Sequence, residues 1–166
     1  MRQLMAVGSA VFAVLAIAAC GGGGSKTSSS DMSSSATVSV RQLSGVGSVL
    51  VDQSGNALYT SDQEASGKIV CDGSCNAFWK PLEASGGKPS GAGKLGEIKR
   101  PDGTMQVTSN GKPLYTFSED SPGKVTGNGF SDDFAGRHFT WHVVTSRGTA
   151  KPAAGSGGGG GGYGGY

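Results

Sequence analysis

One short stretch occurs twice and limits what this chain can fold into. Gly55-Asn56-Ala57-Leu58-Tyr59-Thr60 returns 56 residues later as Gly111-Lys112-Pro113-Leu114-Tyr115-Thr116. Carried upstream at the same offset, Ser48-Val49-Leu50-Val51 falls on Thr104-Met105-Gln106-Val107, with Val51 and Val107 identical. Each copy is a short apolar run, a polar turn with Gly, and a second apolar run ending in Leu-Tyr-Thr. That is the pattern of a β-hairpin. Asn110-Gly111 is a favoured pair for a two-residue turn, because both residues tolerate positive φ.

The remaining patterning agrees. In His138-Phe139-Thr140-Trp141-His142-Val143-Val144, period-2 alternation puts Phe139, Trp141 and Val143 on one face and His138, Thr140, His142 and Val144 on the other. Asn76 to Leu82 is read as one helical turn ended by Pro81, with Phe78, Trp79 and Leu82 packing. Past the N-terminal leader, no window holds a helical period over ten residues. The expected class is all-β, mainly antiparallel: one compact domain from two related hairpin units, 37–82 and 97–147. The Gly/Ser/Lys/Pro-rich segment 83–96 is expected to link them.

The ends read differently. Arg2 precedes an uncharged apolar run from Leu4 to Ile17, shorter than the ~20 residues of a membrane span but suited to a signal peptide over 1–19. Ile17-Ala18-Ala19-Cys20 resembles the bacterial lipobox, with Cys20 as the thiol that receives diacylglycerol. Residues 20–36, rich in Gly and Ser, are expected to form a flexible tether with an r.m.s. span of ~20–25 Å. The Gly/Tyr-rich segment 148–166 is expected to be a disordered tail. These features imply export and attachment to the outer face of a bacterial cell membrane.

Without Arg2 the thirteen basic residues nearly balance twelve acidic ones, and the signs are interspersed. That gives no footprint for nucleic acid. The expected partners are the membrane, through the anchor, and cell-wall polymer or envelope proteins.

Four groups of residues are candidates for chemistry. Cys71 and Cys75, an even pair in an exported chain, are expected to form a disulfide. The alternative is a Cu(I)-handling or redox site using Cys71, Cys75 and His142. His138 and His142 sit ~13 Å apart on a strand, too far to share a metal. Tyr59 and Tyr115 read as core tyrosines. Asp120 reads as an acceptor for backbone N–H groups at its turn. Glu119-Asp120 and Asp132-Asp133 read as solvated acidic loops. No nucleophile elbow, zinc-protease helix, phosphate loop or dinucleotide fingerprint is present. The chain is therefore expected not to be an enzyme and to need no cofactor beyond the lipid on Cys20.

Tyr115-Thr116-Phe117-Ser118-Glu119-Asp120 fits a Tyr-x-aromatic-x-x-Asp motif. The first copy carries Tyr59, then Ser61 and Glu64 in place of the aromatic and the Asp. With Cys71-Asp72-Gly73-Ser74-Cys75 and Trp79-Lys80-Pro81, the span from Gly47 to Thr145 resembles a family of bacterial lipoproteins described as a secreted repeat of unknown function. The resemblance implies a secreted or lipid-anchored domain, with Tyr59, Glu64, Tyr115, Phe117 and Asp120 as its motif positions. It brings no known activity.

Overall fold

The computed structural model describes residues 37–150. The leader, Cys20, the tether and residues 151–166 of the tail lie outside them. The described chain is antiparallel β-structure with two short 3-10 turns, Asp62–Glu64 and Gly73–Ala77.

The strands are β1 (Ser39–Leu43), β2 (Gly47–Val51), β3 (Tyr59–Ser61), β4 (Trp79–Pro81), β5 (Leu95–Lys99), β6 (Met105–Ser109), β7 (Lys112–Pro113), β8 (Tyr115–Phe117), β9 (Ser131–Phe134), β10 (Arg137–Thr145) and β11 (Gly148–Thr149). One sheet runs β1-β2-β10-β3-β8-β4, with β9 and β11 also paired to β10. A second runs β5-β6-β7. Beyond β4 the chain meets β6 through a Glu83–Gln106 bridge.

The duplication is real, but its register is not constant. Arg41 faces Val49 as Ile98 faces Gln106, and Gln42 faces Ser48 as Lys99 faces Met105. Ahead of the turn the equivalent residues are thus 57 apart, not 56. The reason is turn length. Asp52 and Asn56 pair around Gln53, Ser54 and Gly55, whereas Ser109 and Lys112 pair around Asn110 and Gly111 alone. Asn110 and Gly111 adopt φ of 51° and 79°, as a two-residue turn requires. Leu50, not Val51, is therefore the counterpart of Val107. The Val51/Val107 identity joins residues that pack in different cores.

The two units interlace. Tyr59 and Tyr115 face one another across the β3–β8 pair, and a pseudo-two-fold axis passes between them. The closing strand of each unit pairs with the opening strands of the other. Val144 N–H donates to Leu58 C=O at 2.8 Å, and Leu82 N–H donates to Leu114 C=O at 2.9 Å. Ser146 N–H reaches Ser48 C=O as Ala84 N–H reaches Met105 C=O.

This overturns three local expectations. Trp79-Lys80-Pro81 is not a helical turn but β4, the counterpart of Trp141-His142-Val143. Pro81 fits there because β4 ends the sheet path and needs no ladder N–H at that position. Residues 83–96 are not simply a linker: Glu83 bridges to Gln106, Gly91 bridges to Val38, and Leu95 and Gly96 open β5. Nor does the tail begin at 148, because Gly148–Thr149 form β11 against β10.

Strand alternation sends side chains to two cores. The aliphatic one is close to symmetric: Val38 answers Leu95, Leu50 answers Val107, Leu58 answers Leu114 and Val144 answers Leu82. The other holds both Trp residues, both motif Tyr residues, Phe117 and Phe139.

Candidate functional site

The motif residues meet at the centre of the aromatic core. Alternation along β3 and β8 turns Tyr59 and Tyr115 inward, and both are fully buried. Each tyrosine donates to the acidic residue of the other unit. Tyr59 Oη donates to Asp120 Oδ2 at 2.5 Å, and Tyr115 Oη donates to Glu64 Oε1 at 2.9 Å. Burial is the main cause that pushes both phenols well above their ordinary value, reinforced by the adjacent carboxylates, so both stay protonated donors.

Each carboxylate also ties down its own loop. Asp120 Oδ1 accepts from Thr126 N–H at 2.9 Å and from Thr126 Oγ1 at 2.6 Å. Glu64 Oε1 accepts from Val70 N–H at 2.6 Å and Cys71 N–H at 2.8 Å, while Ser61 Oγ donates to Oε2. The segment from Ser61 to Gly67 is therefore pinned to the core through Ser61 and Glu64. Glu64 is fully buried, and desolvation raises its carboxyl above the usual range despite these donors.

The Trp rings lie on the same axis. Trp79 and Trp141 stack at 3.9 Å and 10°, with Phe117 on Trp79 at 4.3 Å and Phe139 beyond Trp141 at 5.7 Å. Tyr59 meets Trp79 edge-on, and Tyr115 meets Trp141 in the same way. Both indoles donate to one carboxylate: Trp79 Nε1 to Asp132 Oδ2 at 2.7 Å and Trp141 Nε1 to Asp132 Oδ1 at 3.1 Å. Asp132 is thus no solvated loop residue. Its side chain turns inward from β9, and burial raises its carboxyl above the usual value, against the pull of the two indole N–H groups. Gly127 lets the backbone cross this stack, since a Cβ there would lie 2.8 Å from Trp79 Cη2.

Symmetry breaks in the aromatic core. Where the first unit has Leu43 and Val49, the second has Arg100 and Gln106, all buried. Arg100 Nη1 donates to Gln106 Oε1 at 2.5 Å and lies 3.5 Å from Tyr115 Oη. Its Nη2 donates to Cys71 C=O and Asn76 Oδ1, and Asp72 and Asp102 stand 3.6 Å away at the rim. A buried guanidinium requires such partners. Arg100 carries no signal at the 56-residue offset, which sets it against Ser44, and only the 57-residue register places it on the apolar position of Leu43; Gln106 stands against an apolar residue in both registers, Leu50 or Val49.

Cys71 and Cys75 are joined in a disulfide beside this network. His142 pairs with Asp62, and His138 with Asp133. Among the described residues, no group of three or more His, Cys, Asp or Glu could hold a metal ion. The structure brings Tyr59, Glu64, Tyr115, Phe117 and Asp120 together. Trp79, Trp141, Asp132 and Arg100 complete the constellation, which is closed to solvent at its centre.

A two-unit, interlaced antiparallel domain with a buried Tyr–acid exchange is the class these features define. Residues 96–145, the second unit, match the model of a family described as a secreted repeat of unknown function. The match falls on the copy with the full motif, and the pseudo-two-fold extends the same architecture to the first unit. No curated protein and no solved structure matches the chain.

Proposed function

We propose that this chain is a lipid-anchored module on the outer face of the bacterial cell membrane, acting by binding or structural association rather than catalysis. One observation carries the reading: the motif tyrosines and Glu64 are buried, Asp120 is partly so, and the four are engaged with one another. A Tyr or carboxylate serving as acid, base or nucleophile has to reach a substrate. Here those groups brace the two halves and present the outer surfaces as a rigid scaffold. The secreted-repeat match supports an extracytoplasmic setting. Among the described residues no helix is long and apolar enough to cross a membrane; the anchor in this reading is Cys20.

Membrane fractionation of wild type and Cys20→Ala tests the anchor. The variant is expected in the soluble fraction, and retention in the membrane would remove this reading. Deleting residues 155–166 tests contact with cell-wall polymer, and unchanged wall retention would remove the tail from that role. A second reading, a redox or copper-handling role for Cys71 and Cys75, draws on the disulfide lying against the Arg100 network. It requires Cu(I) uptake after reduction, and a reduced protein that takes up none rules it out.

A further inference from the structure

Away from the aromatic core, the aliphatic face opens into a small concavity of about 200 Å³. Thr60, Ser109, Lys112, Leu114, Val144 and Thr149 contribute to its walls, at the point where the Asn110-Gly111 turn approaches the end of β10 and β11. Three features distinguish it from an ordinary surface dimple.

First, Thr60 is only 2% exposed, and its Oγ1 has no hydrogen-bond partner. Buried hydroxyls are ordinarily bonded, so an orphan one in a pocket wall calls for a partner. Thr116, its pseudo-symmetric mate, is only half-buried, so the duplication does not explain Thr60. Second, the Lys112 ammonium makes no ion pair among the described residues, and no Asp or Glu lines the pocket. Third, Leu114 and Val144 are apolar and almost wholly buried, which leaves an aliphatic floor beneath the hydroxyls.

We propose that this pocket binds a carboxylate bearing a short aliphatic group, either a free acid or the terminal carboxylate of an alanine-ending peptide. The ammonium of Lys112 neutralises the carboxylate. Thr60 and Ser109 Oγ–H donate to its oxygens, which satisfies the orphan hydroxyl. The methyl or ethyl group rests on the exposed edge of Val144, with Leu114 packed behind it. A single cation over an apolar floor suits a monoanion with a small tail better than a phosphate, which draws several donors and cations. The proposal deepens the binding reading and rests on it, but not on the anchor, which fractionation tests separately.

Isothermal titration of the full chain in detergent micelles tests the site, using propionate, N-acetyl-alanine and the neutral isostere propionamide. The acids are expected to bind saturably and to weaken with added salt, and propionamide is expected to show no saturable binding. Lys112→Met should weaken binding about tenfold, because a charge-assisted hydrogen bond is lost. Thr60→Val keeps the shape, so it should leave the fold intact while lowering affinity a few-fold. A clear preference for N-acetyl-alanine assigns the site to peptide termini, and equal affinities assign it to free acids. Propionamide binding as tightly as propionate, unchanged affinity in both variants, or no saturable binding of either acid would overturn the proposal.

Discussion

Replacing Asp132 by Ala is the sharpest test of how the centre is held. The substitution strands two indole N–H groups on fully buried tryptophans. Each unsatisfied buried donor costs ~1–3 kcal/mol. Asp132 is itself partly desolvated, so its removal returns some of that cost. The expected net loss is about 2–4 kcal/mol, a large share of the ~5–15 kcal/mol that typical domains possess. Asp132→Asn keeps one acceptor oxygen but turns an amide N–H₂ towards the other indole, so its loss should be smaller, about 1–2 kcal/mol. The chain has only two tryptophans, both in the stack, so intrinsic fluorescence reports this site directly during urea unfolding. The midpoint should fall with an unchanged denaturant slope. Exciton-coupled circular dichroism from the paired indoles should weaken alongside it. A loss under about 1 kcal/mol in Asp132→Ala, with the exciton signal intact, would refute the view that a shared carboxylate holds the two rings.

Three further outcomes are expected. Residues 37–82 or 95–150 produced alone should lack native structure by near-ultraviolet circular dichroism, and mixing the two pieces should restore it, since each closing strand completes the other unit. Gly127→Ala should cost about 1–3 kcal/mol in urea melts, because the new methyl group meets Trp79, Phe117 and Tyr59 in a filled core. Glu64→Gln should flatten the pH dependence of stability. The folded-state value of Glu64 is raised above its ordinary 4.5, so the stability linked to its protonated form is present below that value and lost as pH rises through the raised folded value. Urea midpoints of wild type and variant across that range check the sign: the wild type should decline relative to the variant as pH increases.

Period-2 alternation made β10 legible in the sequence, and Asn110-Gly111 disclosed its own turn. These are local signals, and the structure keeps both. The register ahead of the first turn was not legible, because one extra turn residue leaves no mark and the chance match of Val51 with Val107 hides it. That slip also concealed Arg100, whose burial is visible only once it is set against Leu43. β4 was misread because Pro81 signals a helix stop more strongly than it signals an end strand. Asp132 carried no local signal either. Its inward turn depends on two indoles, one of them 53 positions distant in the chain.

The exchange of closing strands also sets an order of events during synthesis. β10 lies near the end of the described chain, yet it supplies the neighbour of β2 and β3, which are made early. β1 and β2 can pair as soon as they are made, but the edges of β2 and β3 that β10 covers must wait unpaired until nearly the whole domain has been synthesised. Contacts so distant in sequence slow the search for the native state. Until the last strand arrives, the nascent chain presents open hairpin edges on which a chaperone, or a neighbouring copy, could act first.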